Sequence, residues 1–371
     1  MKRIFYLLFL APVFIFAESL YSPTWGFFLD LPEGYEYIDG DGVDRFSFIG
    51  PGDAMFDIVV YNGRYASMTE LVDDVNRRLT NRGDADFFIY CNRQAAIIEL
   101  NFSDYNGWGL CVELSSSGTR TAMLLALAYS RSNRNDLELL HISALDSIAP
   151  SALERYYPGP IIEYSYPRGE TIPVSLAGGI NAIMRENDAE ASQVLIEREF
   201  RILQMYANSQ HWQEAWIRYY RLVYRDSYDR ITDIVSALVR NWGWNSTSND
   251  GERRAFAQRS LSFIQGFTYE RYLDGSDFIN LVTAITESRG NCDSLAMLWA
   301  MILSHADIRS AIMVSRQYSH AMGLADIAGT GARFEAYGTR WLVAETTANV
   351  DIGLIAQDQS DPQYWLGIIF E

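Results

Sequence analysis

Lys2 is the only lysine in the sequence, so beyond residue 2 no side chain can supply the amine of an isopeptide crosslink. Histidine is nearly as scarce. The four present, His141, His211, His305 and His320, show neither an HExxH pattern nor any paired-ligand spacing, which argues against a metal hydrolase. No GxSxG elbow occurs, which argues against a serine hydrolase of that type. No basic cluster offsets a formal net charge of −17, so nucleic acid and anionic lipid are poor partners. Internal repeats and low-complexity tracts are absent. Beyond the N-terminus no apolar run approaches the roughly 20 residues of a membrane span.

What is present points to a globular, exported chain. Its 371 residues are 49% hydrophobic and 21% charged, which excludes dominant disorder and suits two or three domains. Residues 1–17 have the anatomy of a secretory signal: Lys2 and Arg3, an apolar run from Ile4 to Phe16, then Ala17 before Glu18. Removing them deletes two basic residues and no acid, which takes −17 to −19. No cysteine follows the run, so a lipoprotein signal is absent. The expectation is a secreted or periplasmic protein with no stable membrane insertion after signal removal.

Along the chain the pattern predicts an α+β fold in several parts. Residues 18–150 form a small α+β domain, with strand-like segments at Gly26–Leu31, Arg45–Ile49, Phe56–Tyr61, Phe87–Cys91, Ala95–Phe102, Gly109–Leu114 and Thr121–Tyr129. Leu71, Val75 and Leu79 recur at helical spacing within 68–80, and a second helix closes the unit over 136–148. Pro150, Pro158, Pro160 and Pro167 mark a linker over 151–174. A helical segment follows over 175–250, then a last domain over 251–371. Cys91 and Cys111 stand close enough in sequence to pair in an oxidising compartment, but spacing alone leaves that open.

Cys292 is then the odd thiol. It follows Gly290 and Asn291 and heads the apolar run LAMLWAMILSHAD, so Asn291 reads as an N-cap and Cys292 as a first-turn residue. Helix N-termini stabilise thiolate. A packed structural cysteine is the alternative. His320 lies 28 positions on, just before a strand-like run, and Glu345 lies 25 further, at the end of another. Adjacent antiparallel strands would set imidazole beside carboxylate, with the thiol presented from the helix. Asp293 and Trp341 read as supporting or core residues, His305 as a helix C-terminal cap, and His141 as a packed or surface residue.

The runs GNCDSLAMLWAMILSHADIRSAIMV, YSHAMGLADI and TRWLVAETT resemble the transglutaminase-like family of papain-type folds. FIQGFTYERY, at Phe263–Tyr272, is similar to that family's approach to its catalytic helix. The resemblance implies a cysteine peptidase or amidase acting through an acyl-enzyme on protein or peptide amide bonds, with no cofactor and no metal. Cys292 would be the nucleophile, His320 the general base and acid, and Glu345 the orienting carboxylate. The oxyanion donors would be the Cys292 backbone N–H and the Gln265 side chain. The chain departs from the pattern by Glu345 in place of the commoner Asp and by Met322 where an aromatic would flank the site. At the other end, FFLDLPEGYEYID resembles PsbP-like α+β domains, which bind or scaffold. The competing expectation is therefore a catalytically inactive binding or scaffold protein of the cell envelope.

Overall fold

The computed structural model describes residues 20–79, 85–114, 121–245, 249–271 and 275–370. The expected signal at 1–17 lies outside the described residues. The class is α+β, as the sequence predicts.

In the N-terminal unit, β1 (Leu20–Tyr21) pairs with β2 (Phe28–Leu29). Strands β3 (Glu36–Gly40), β4 (Arg45–Ile49), β5 (Met55–Asn62), β6 (Ala85–Tyr90), β7 (Arg93–Phe102), β8 (Tyr105–Glu113) and β9 (Ala122–Arg131) form an antiparallel sheet in the order β3-β4-β5-β9-β8-β7-β6. Helix α1 (Met68–Leu79) lays Met68, Leu71, Val72 and Val75 on one face, against Ile98, Leu100, Met123 and Leu125. Helix α2 (Glu138–Asp146) and Ile148 cover the other, against Phe56, Ile58, Leu124 and Ala126. Both faces being covered explains why β9 is an almost unbroken apolar run rather than an alternating one.

The same two faces keep the cysteines apart. Cys111 is buried on the α1 side, whereas Cys91 packs with the core on the α2 side, in the turn after β6 with φ +48°. Both are free thiols. A pleated sheet sends alternate side chains to opposite faces, and this one stands between the two sulfurs.

The proline-rich stretch over 151–174 is built structure rather than a loose linker. It holds helix α3 (Pro160–Ser165) and the start of β10 (Thr171–Leu176), which pairs with β11 (Ile180–Arg185) across Gly178 and Gly179, both at positive φ. Helices α4 (Asp188–Met205), α5 (Trp212–Arg230), α6 (Thr232–Asn241), α7 (Asp250–Gln265) and α8 (Leu281–Glu287) then surround α9 (Cys292–His305). One apolar core runs from Ile162 through these helices to Ile368. The boundary expected at 250/251 therefore passes through the middle of a core.

Helix α9 is apolar all round, and its residues from Leu295 to Leu303 are buried, as such a helix requires. It packs on a five-stranded antiparallel sheet of β14 (Ser310–Ser315), β15 (His320–Ala325), β16 (Arg333–Ala336), β17 (Thr339–Ala344) and β18 (Leu366–Ile369), ordered β16-β17-β15-β14-β18. Gly323 makes the close approach possible: a Cβ there would stand 2.3 Å from the Trp299 ring. Beside the helix start, β12 (Thr268–Tyr269) runs parallel to β13 (Arg289–Gly290).

Buried guanidinium groups stitch the helices to the N-terminal unit. Arg218 reaches Glu199 at 3.1 Å, Ser143 Oγ at 2.8 Å and the Asp30 carbonyl at 2.8 Å. Arg198 meets Asp146 at 2.6 Å, and Arg225 donates to the carbonyls of Asp146, Ser147 and Ile148.

Candidate active site

The thiol is placed by the local sequence of the helix start. Helix α8 ends at Ser288, whose φ of +54° reverses the chain two residues before Gly290. Asn291 is extended, and its Oδ1 accepts from the Ser294 N–H at 2.9 Å and the Ser294 hydroxyl at 2.8 Å. Its Nδ2 donates to the Asp277 carbonyl at 2.6 Å. Cys292 is thereby the first residue of α9, and its own N–H belongs to the first-turn amides that a helix leaves unused.

Strand ends place the other two groups. His320 begins β15, paired with Ser315, and Glu345 directly follows β17, which pairs with β15 through Gly323 and Ala344. His320 Nε2 and Glu345 Oε2 are 2.7 Å apart. A carboxylate only accepts, so Nε2 carries a proton, and in the neutral imidazole Nδ1 is then the acceptor. The second oxygen, Oε1, accepts from the Thr347 N–H at 2.7 Å and the Thr347 hydroxyl at 2.6 Å. Burial pushes the Glu345 carboxyl up, but the His320 and Thr347 hydrogen bonds outweigh it and hold the group below its ordinary range.

The sulfur lies beside the same strand, since α9 packs on β15, and the Ala321 N–H, one residue past His320, and the Tyr269 hydroxyl are near enough to act on it. Asp293 Oδ2 stands 3.7 Å from Sγ, and Asp293 Oδ1 accepts from the Tyr220 hydroxyl at 2.5 Å. These surroundings reverse the expected thiolate stabilisation. Burial first, and the Asp293 charge second, push the thiol up to about 12, beyond what backbone hydrogen bonds and Arg271 take back. At rest the group is a neutral thiol. Asp293→Asn is therefore expected to raise the alkylation rate of Cys292, by about three- to fourfold for each unit its pKa falls, because the thiolate fraction rises while its nucleophilicity declines. Iodoacetamide kinetics at about pH 9 check this, and an unchanged or slower rate would show that the carboxylate does not govern the thiol.

Gln265 does not match its expected role. Its Nε2 is committed to the carbonyls of Glu345 and Val350, both at 2.8 Å, which leaves no amide proton for an oxyanion. It pins the loop after β17 and so fixes where Glu345 sits. Trp341 is core, its indole N–H on the Ala336 carbonyl. His305 caps through Nδ1 to Met301, bonds Thr232 and stacks on Tyr228 at 4.1 Å. His141 is buried, and desolvation lowers it to about 4.

Several neighbours escape a reading by sequence. Tyr220 lies 73 residues before Asp293 and nothing local ties the two. Tyr269, in the FTYERY phrase, faces the sulfur. Trp365 stands edge-on to His320, centroids 6.3 Å apart, and supplies the aromatic neighbour that Met322 does not. A separate cavity of about 850 Å³, lined by residues such as Phe28, Ile217, Phe334 and Tyr337, includes none of the three candidate residues.

No protein family and no curated protein matches the sequence. Among solved structures, one from Bacteroides thetaiotaomicron is similar over 61% of this chain and 79% of its own, at 11% identity and TM-score 0.25. A protein of Parabacteroides distasonis, provisionally named a protease, is similar over 81% of this chain and 68% of its own, at 9% identity and TM-score 0.21. Likeness at that level carries no argument about fold or activity.

Proposed function

We propose that the chain is an exported thiol enzyme of transglutaminase-like type, a cysteine peptidase or amidase that acts through an acyl-enzyme on protein or peptide amide bonds. The observation that carries this reading is the His320–Glu345 hydrogen bond of 2.7 Å, with Cys292 at the start of the helix packed on the His320 strand. Because the thiol rests neutral, the proton leaves during attack. The bare His320 nitrogen accepts it as sulfur adds to the carbonyl, and the imidazolium is stabilised by Glu345. The Cys292 N–H is the available donor for the oxyanion. His320 then protonates the leaving amine, and water, deprotonated by the same imidazole, releases the acid.

Export supports this reading only as an expectation from residues 1–17. Among the described residues no helix is long and apolar enough to cross a membrane. The raised thiol pKa favours the second reading, an inert scaffold of the cell envelope. A peptidyl activated ester separates the two. The enzyme is expected to acquire one acyl mass, mapped to Cys292, within a turnover. His320→Ala is expected to slow acylation by about 10²–10⁴-fold. Absence of an adduct in the wild type, or equal rates in both proteins, would leave the scaffold.

A further inference from the structure

Beside the imidazole the surface is unusually aromatic and acidic. From His320 a ladder of rings leads outward. Trp365 lies 6.3 Å from His320, Tyr318 lies 5.5 Å from Trp365, and Tyr364 lies 5.7 Å from Tyr318. Exposure rises along it: Trp365 is 8% exposed, Tyr318 is half-buried and Tyr364 is 45% exposed. Two short 3₁₀ turns, Gln357–Gln359 and Pro362–Tyr364, build the outer part, and the Trp365 indole N–H locks onto the Gln359 carbonyl at 2.8 Å.

Carboxylates rim this ladder. Asp361 caps the second turn through the Gln363 N–H at 3.1 Å, and Asp358 is exposed with no basic side chain paired to it among the described residues. Asp358 sits in the turn whose Gln359 carbonyl holds the Trp365 indole, and Asp361 is the cap of the turn that carries Tyr364, so both carboxylates belong to the same short segments as the rings. Ring faces carry negative potential, and carboxylates at their edge add to it, so the complementary group is a cation with an alkyl stem. A neutral sugar would gain from the rings and nothing from the unpaired charge.

We propose that Trp365, Tyr318 and Tyr364, rimmed by Asp358 and Asp361, form a subsite that receives a lysine or arginine side chain of the peptide whose amide bond reacts at Cys292. The basic side chain is a non-reacting handle that fixes which amide lies over the sulfur. The inference rests on the reading of Cys292, His320 and Glu345 as an amide-cleaving site.

The test measures binding rather than turnover, so it stands apart from whether the thiol is active. Full-length Cys292→Ala is titrated against fluorescent extended hexapeptides that differ at one position, lysine, arginine or norleucine, and anisotropy is followed. Basic peptides are expected to bind about tenfold more tightly than the norleucine peptide at low salt, with the advantage shrinking as salt rises. Tyr364→Ala and Asp358→Asn, both at exposed positions, are each expected to remove most of that advantage without changing the melting temperature. Equal binding of basic and norleucine peptides, no binding of any, or a preference that survives the Tyr364→Ala, Asp358→Asn double variant overturns the subsite. A basic preference in a protein that forms no acyl adduct would keep the subsite and sink the enzymatic reading.

Discussion

Glu345→Gln is expected to cost acylation about 10²–10⁴-fold while the protein stays folded. The substitution keeps an oxygen for the Thr347 N–H and hydroxyl, so the loop that Gln265 holds has no cause to move. What disappears is the negative charge 2.7 Å from His320 Nε2. That charge fixes the tautomer with Nδ1 bare and stabilises the imidazolium once sulfur has given up its proton. A neutral amide does the first poorly and the second hardly at all. Single-turnover acylation with the activated ester checks it, and a loss smaller than about threefold would remove Glu345 from the mechanism.

The same carboxyl gives a stability signature with a definite sign. Its folded pKa lies below the ordinary 4.5, so its contribution is full above that value and is lost as pH falls through the folded one. In Glu345→Gln the acid limb of the stability curve should be flatter below about pH 4.5 and unchanged above it.

Arg230→Met is expected to be the most damaging single change outside the site, at about 3–5 kcal/mol. The guanidinium has 0% side-chain exposure and holds Asp188 at 2.8 Å and Asp226 at 3.0 Å, themselves 0% and 1% exposed. Methionine fills similar volume, so packing changes little, but Asp226 is left as a buried charge with no guanidinium against it. Asp188 keeps only Arg168, at 2.8 Å. Replacing Asp226 by leucine in the same chain should recover much of the loss, since the penalty comes from the stranded charge. Urea unfolding of the single and double variants checks both parts. A single variant within about 1 kcal/mol of wild type would show that water or another cation compensates.

How far the sequence reveals this arrangement depends on how local each feature is. The α9 start is legible because Gly290, Asn291 and Cys292 act within one turn, and the apolar run behind them announces a buried helix. His320 and Glu345 are legible as the ends of strand-like runs, where pairing rules alone bring them side by side. What acts on the thiol is legible only in part: Asp293 is its neighbour in sequence, and the dipole argument that favours thiolate ignores that carboxylate, whereas Tyr220 and Tyr269 arrive only through tertiary packing. The β10–β11 hairpin does have a signal, Gly178-Gly179 between two alternating runs, which prolines upstream overshadow. One of them, Pro160, begins α3 rather than loosening a linker, since proline suits the first turn of a helix.

The thiol's surroundings are drawn from α5, β12, α9 and β15, and α5 is also the helix whose arginines grip α2 and the segments beside it in the N-terminal unit. Loosening α5 is therefore expected to disturb the sulfur's setting through the Tyr220–Asp293 hydrogen bond. Chemistry at Cys292 then reports on the cohesion of residues far from it: damage to the N-terminal half would surface as altered thiol behaviour long before the chain unfolds.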